Sequence, residues 1–289
     1  MLGACRCEVK RCLVRQQKER PRMEHLTAIG FDLFDTLITL ENLGFKDAMD
    51  RLVQELHGQG FPVVSETFLP IYRETASDFM SKAREVGKET HNRFWISAAL
   101  QRLGYQVAPD DTRINQVVDA YFSAFLDHAV LLPDTLPTLR TLKRHYRLGL
   151  LSNFTHASLV YQLLKRFGLD DVLDVQLVSG ALGYRKPKPF VFNTLSEQFG
   201  VPNAQIAFVG DNLQADIVGA KEAGLWPIHT TYAQHYKTLQ RDRGPSPQAG
   251  DDPDPPIWSR SIDGERGHHH TDVALIQSWD DLLKMFNLD

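Results

Sequence analysis

Asp32 in FDLFDTL (31–37), Ser152 with Asn153 in LLSN (150–153), Lys186 in RKPKP (185–189), and Asp211 with Asp216 in VGDNLQAD (209–216) are the residues whose types could do chemistry together. They offer a carboxylate able to act as a nucleophile, a hydroxyl to hold an anion, an ammonium to neutralise charge, and a second acidic pair suited to a hard cation. Asp32, Ser152 and Asp211 each follow an apolar run that reads as a buried strand, whereas Lys186 sits in a loop ahead of a helix. Such residues converge only if the strand ends lie side by side. A parallel sheet does this at its C-terminal edge, where ligands collect.

The elements that would position them follow from periodicity. Thr27–Phe31 reads as the strand leading to Asp32. From about Glu41 to Val130 the spacing turns helical, as in Ala48, Leu52, Val53 and Leu56, then Phe94, Trp95, Ala98 and Leu103, with breaks at Gly58–Pro62 and Gly104–Asp111. Beyond it, helices at Leu136–His145, Ala157–Phe167, Phe190–Phe199 and Leu213–Ala223 alternate with strands at Leu148–Leu151, Val175–Val178, Ile206–Val209 and Trp226–His229. This alternation predicts an α/β fold with a doubly wound parallel sheet and right-handed crossovers. A strand at Val273–Ile276 and a helix at Asp280–Phe286 are expected to complete its edge. Residues 240–271, rich in Pro, Gly, Asp and Arg, read as a disordered insertion. His268–His270 falls inside it, but three adjacent histidines do not easily face one ion, so no metal is assigned there.

The order and context of these motifs resemble the haloacid dehalogenase (HAD) superfamily, over most of the chain outside residues 1–22, 41–130 and 233–271. The resemblance implies a Rossmann-like core over 23–40 and 131–289, with 41–130 inserted as an all-helical cap of the C1 type found in subfamily I. It implies Asp32 as the nucleophile that takes a phosphoryl group, with Lys186 neutralising it, and Thr36, Ser152, Asn153 and Lys186 as phosphate holders. Mg²⁺ would be held by Asp32, Asp211 and the main-chain carbonyl of Phe34, with Asp216 supporting the metal-bound water or Lys186.

One position departs from the pattern. Most relatives read Asp-x-Asp-x-Thr in the first motif, and their second aspartate is a general acid worth about 10²–10⁴-fold in rate. Here that residue is Phe34, while Asp35, turned away by strand alternation, reads as a loop carboxylate. The family's dehalogenases also carry an aromatic residue there, because halide leaves without a proton. They lack the acidic Gly210-Asp211 pattern, however, and two carboxylates lining a pocket without a cation would repel. The expectation is a Mg²⁺-dependent hydrolase, most simply a phosphatase of a small phosphorylated metabolite. A 2-haloacid dehalogenase, and a weakly catalytic protein that binds a phosphorylated ligand, stay as alternatives. In the cap, Arg73, His91, Arg93 and Trp95 are candidate contacts for an anionic substrate. Arg73 also suits a solvated helix face.

Composition narrows the partners. With 289 residues, 43% hydrophobic and 24% charged, the chain can fill a large domain with an insertion, and a net charge of −4 gives no field for nucleic acid or a membrane surface. No run of 18 apolar residues occurs. Cys5, Cys7 and Cys12 all fall in residues 1–22, which read as a flexible basic extension ahead of Met23. The cysteine-free body suits a reducing, cytoplasmic setting.

Overall fold

The computed structural model describes residues 25–41, 44–243 and 273–288, so the basic extension with its cysteines and His268–His270 lie outside the described residues. Six parallel strands form the central sheet. They are β1 (Ala28–Phe31), β4 (Arg147–Ser152), β5 (Val175–Val178), β6 (Ile206–Gly210), β7 (Trp226–Thr230) and β8 (Ala274–Ile276), in the spatial order β5-β4-β1-β6-β7-β8. The chain builds outward from β1 through β4 to β5, then crosses back to lay β6 on the other side of β1. That reversal opens a crevice at the carboxyl ends of the central strands.

The central strands β1, β4 and β6 are buried on both faces, which is why their middles read as continuous runs rather than alternating ones. On one face Phe31, Leu148, Leu150 and Val209 pack in the larger core. On the other, Leu151, Ile206 and Phe208 meet Val191, Phe192, Leu195 and Phe199 of the helix Pro189–Phe199.

Between β2 (Ile38–Leu40) and β3 (Ala129–Leu131) stand four helices, α1 (Gly44–Gly58), α2 (Ser65–Val86), α3 (Asn92–Arg102) and α4 (Thr112–His128). The two connections to this helical cap run as an antiparallel ribbon, with Thr39 opposite Val130. Leu52, Phe68, Tyr72, Trp95, Leu100 and Phe125 are buried within the cap and continuous with the sheet's larger core. The helix breaks at Gly58–Pro62 and Gly104–Asp111 coincide with interhelical connections, and a third lies at Gly87, where φ is 73°.

Two details differ from the periodicity. The expected helix at Leu213–Ala223 begins as a wider π-helical turn, Leu213–Val218, and tightens to α only over Gly219–Glu222. The disorder expected from residue 240 does not hold over 240–243, which end the helix Tyr232–Arg243. Residues 244–272 lie outside the described residues.

The C-terminal segment returns to the core. β8 pairs with β7, and Trp279 of the closing helix Trp279–Met285 donates its indole N–H to Thr135 Oγ1 at 2.9 Å. Its ring meets the edges of Phe31 and Tyr232 at 6.5 and 5.7 Å. Trp279→Ala should therefore lower unfolding stability by about 3–5 kcal/mol, the usual cost of deleting a large buried aromatic side chain. Denaturant unfolding measures it, and a loss below about 1 kcal/mol would mean the terminal segment is not part of the cooperative core.

Candidate active site

Asp32 is the first residue past β1, and its N–H donates to Val209 O at 2.9 Å, extending the ladder to β6 by one bond. Phe31 pairs with Leu150 on one side and Val209 on the other. Ser152 and Asp211, at or just past the ends of the two flanking strands, thus face the same crevice edge as Asp32. The order β4-β1-β6 accomplishes this, so three motifs spread over 179 residues of sequence become neighbours.

Lys186 joins them from its loop. Its side chain is 1% exposed, and Nζ lies 2.6 Å from Asp32 Oδ1 and 2.7 Å from Asp216 Oδ1. The ammonium also sits 5.1 Å from the Phe208 ring centroid. Asn153 fixes the backbone beneath it: Lys186 N–H donates to Asn153 Oδ1 at 2.8 Å, and Asn153 Nδ2 donates to Lys186 O at 3.0 Å. This amide, expected from sequence to hold phosphate, is bonded to the main chain of the lysine loop.

Asp216 is held just as firmly. It projects from the π-helical turn, and its Oδ2 accepts from Asn212 N–H at 2.9 Å. The Asn212 side chain caps the turn through Gln214 and Ala215 N–H groups at 3.1 and 2.8 Å. Gly210 is required by this packing, because a Cβ there would overlap the Asp216 carboxyl group. The wide turn and the glycine together let a carboxylate fold back under the end of β6.

The charges do not balance. One carboxylate oxygen from each of Asp32, Asp211 and Asp216 lies within 4.8 Å of the others, and among the described residues Lys186 is the ammonium that pairs with Asp32 and Asp216. Burial pushes Asp32 up to about 6, with Lys186 opposing and Asp216 adding. Burial, then the charges of Asp216, Asp32 and Asp35, hold Asp211 well above the usual carboxylate range. Nearby, the Thr36 hydroxyl is fully buried with no hydrogen-bond partner among the described residues, and Ser152 is buried at the end of β4.

The Phe34 side chain belongs to an aromatic cluster that reaches the cap. Its ring stacks on Phe154 at 4.8 Å, and Phe154 packs at 5.5 Å on Phe122 of α4. Asp35, at φ 58°, accepts from Thr39 Oγ1 at 2.6 Å and from Lys237 Nζ at 2.7 Å. It is a structural carboxylate of the loop, tied to the helix Tyr232–Arg243.

A family model described as haloacid dehalogenase-like hydrolase matches residues 26–224. The chain belongs to that family of hydrolases. It is 31% identical over 209 residues to the ribulose-1,5-bisphosphate 5-phosphatase of Halopiger xanaduensis, an alignment spanning 69% of this chain and 82% of that one. To the glyceraldehyde 3-phosphate phosphatase of Pyrococcus abyssi it is 28% identical over 214 residues, 72% and 83% of the two chains. A crystal structure of 2-haloacid dehalogenase from Pseudomonas syringae pv. Tomato shares the fold with a TM-score of 0.55 at 23% identity, over 91% of this chain and 98% of that one. No helix among the described residues of this HAD hydrolase is long and apolar enough to cross a membrane.

The cap candidates have mostly structural surroundings. Arg73 is exposed on α2, and Trp95 is buried in the cap with its N–H on Thr90 Oγ1 at 2.9 Å. The Arg93 guanidinium lies over the Phe94 ring at 4.9 Å. His91 caps α3 by accepting from Arg93 N–H at 3.2 Å, and its ring is 5.7 Å from that of His156, which stacks on Phe122 at 4.5 Å. Absent from the sequence expectation, yet central here, are Glu89, Asn92, Thr155, Ser179 and Arg185, which bridge cap and core.

Burial, with His156 and Arg93 adding, holds His91 down at about 4, and burial lowers His156 too. The unfolded chain takes up these protons near pH 6.5, well before the folded one, so stability should be complete above about pH 6.5 and fall as pH drops toward 4. His91→Asn, which keeps an acceptor for the cap of α3, should flatten the loss of Tm between about pH 7 and pH 5. An unchanged slope would remove His91 from the acid response.

Proposed function

We propose that this HAD hydrolase is a Mg²⁺-dependent phosphatase of a small phosphate monoester, working through an aspartyl-phosphate. The observation that carries the reading is the buried Asp32–Lys186–Asp216 bridge, with Asp211 as a third carboxylate in the same crevice. The named activities of the two phosphatase relatives, on phosphorylated metabolites of a few carbons, support a small substrate.

Three carboxylates facing one ammonium fit a hard divalent cation, because oxygen donors and uncompensated negative charge are what such an ion requires. Asp32, Asp211 and the carbonyl of Phe34 would hold Mg²⁺, and the bound ion supplies positive charge to the phosphate oxygens and to the crowded carboxylates. In the proposed reaction the Asp32 carboxylate attacks phosphorus in line, forming a carboxyl–phosphate bond as the ester P–O bond breaks. Lys186, Thr36 and Ser152 hold the transferring group, and among the described residues no hydrogen-bond partner competes for the buried Thr36 hydroxyl. Asp216 aims the ammonium of Lys186, and Asn153 aims its backbone. Water then cleaves the aspartyl-phosphate. Phe34 can neither donate a proton to the departing oxygen nor take one from that water, so both proton transfers fall to solvent, the substrate or the cap.

Release of inorganic phosphate from a panel of monoesters, with and without Mg²⁺ and with Asp32→Asn as the blank, tests this directly. Mg²⁺-dependent release abolished in the variant is expected. Chloride release from 2-haloacids without Mg²⁺, and no phosphate from any ester, would overturn it in favour of the dehalogenase that an aromatic residue at position 34 also suits.

The missing acid has its own signature. Leaving groups that depart as weak bases, such as p-nitrophenolate, should be released much faster than alkoxides by the wild type. Phe34→Asp should speed alkyl esters by about 10²-fold or more while changing the p-nitrophenyl ester far less, as read from kcat on both. Equal effects on both esters would show that proton transfer is not what the phenylalanine removes.

A further inference from the structure

The loop that carries Lys186 is strapped to the cap as well as to the nucleophile. Residues 87–89, between α2 and α3, run antiparallel to residues 183–185. Arg185 N–H donates to Gly87 O at 3.1 Å, Glu89 N–H donates to Gly183 O at 2.9 Å, and Lys88 bridges Tyr184. The left-handed turn at Gly87 permits this approach, since a Cβ there would overlap the Lys188 side chain.

Across this seam lies a buried ion pair. The Glu89 side chain is 3% exposed and that of Arg185 is 8% exposed, with Oε1 and NH1 3.1 Å apart. Two further groups bind the Glu89 carboxylate. Oε1 accepts from Thr90 N–H at 2.8 Å, and Oε2 accepts from the Ser179 hydroxyl at 2.5 Å. Ser179 Oγ in turn accepts from Phe154 N–H at 2.9 Å, beneath the ring that stacks on Phe34. Alongside, Thr155 Oγ1 donates to Asn92 Oδ1 of the cap at 2.7 Å. The cavity that Glu89 and Arg185 line opens beside Asn153, the residue bonded to the Lys186 backbone.

Arg185 and Lys186 are adjacent, yet their charges point to different bodies. Arg185 faces the cap glutamate, and Lys186 faces Asp32 and Asp216. A desolvated carboxylate and guanidinium hold each other only in good geometry, so seating Glu89 on Arg185 constrains the next residue along the chain. We propose that Glu89 is a positioning residue that acts through Arg185. It holds the Lys186 loop where the ammonium bridges Asp32 and Asp216, so the site is complete only when the cap is seated. The kinetic consequence rests on the phosphatase reading; the mechanical one does not.

The test compares the full chain with Glu89→Gln, Glu89→Asp, Arg185→Lys and the double variant E89Q/R185K. Glu74→Gln serves as control, breaking an exposed ion pair with Arg102 inside the cap. With p-nitrophenyl phosphate and Mg²⁺, E89Q and R185K should lower kcat by between about ten- and a hundred-fold with KM little changed, the scale of a small misplacement at a reacting centre. The double variant should be no worse than the weaker single, and E89D, which keeps the charge, should retain more kcat than E89Q. Hydrogen exchange of amides 183–188 should quicken in E89Q while α1 and α4 keep their protection. A kcat within about twofold of wild type, or effects that multiply in the double variant, would overturn the proposal. If E89Q fails to fold, E89D and R185K carry the same comparison. If the wild type releases no phosphate, the phosphatase reading falls and exchange alone decides. Quickening confined to 183–188 then supports the seam, and unchanged or cap-wide exchange rejects it.

Discussion

The buried ammonium of Lys186, shared between Asp32 and Asp216, is the constraint around which the rest of the site is arranged. Charges taken out of water are costly unless each finds a partner in good geometry. Here the partners come from three separate segments, so their positions must agree to within a fraction of an ångström. The fold meets that demand with independent anchors. The β6 ladder bond fixes Asp32, the Asn212 N–H fixes Asp216, and the Asn153 amide fixes the Lys186 backbone. Asp211 is what this arrangement leaves unbalanced. Its carboxyl is pushed toward the protonated form by burial and its acidic neighbours, and a divalent cation would relieve that repulsion.

Phe34 changes the chemistry available without disturbing this frame. Its side chain continues an aromatic contact through Phe154 to Phe122 of the cap. A carboxylate at that position would have to be solvated or paired beneath an apolar lid; a phenyl ring carries no such cost and contributes stacking worth about 0.5–1.5 kcal/mol. The neighbouring Asp35 does not compensate, since Thr39 and Lys237 already occupy it. The loop thus keeps its charge on the outer side and its apolar surface toward the cap.

Much of this was legible in the sequence because it follows from periodicity. Apolar runs that end on Asp32, Ser152 and Gly210 mark buried strands whose ends carry function, and alternation with helices implies the parallel sheet. What could not be read depends on pairing at long range. The bond between Glu89 and Arg185 joins residues 96 apart, and either one alone resembles a solvated surface charge. Asn153 sits in a motif whose order suggested phosphate, yet its side chain is bonded to a backbone 33 residues away. The helix Tyr232–Arg243 was missed because its composition, YAQHYKTLQRDR, is polar nearly throughout. Among the cap candidates, residue type suggested Arg73 and Trp95, but position on the helix decides the matter. One points to solvent and the other into the cap.

The polarity of the cap–core seam has a physical rationale. An apolar contact is non-directional and tolerates sliding, so it would seat the cap without fixing the lysine loop. Hydrogen bonds and a buried ion pair lose most of their value if the geometry shifts, which gives the seated cap one register against residues 183–185. Their net stabilisation is also small, because water replaces the partners when the seam opens. Directionality with little net strength therefore sets the register of residues 87–89 while the continuous apolar core beneath supplies the hold.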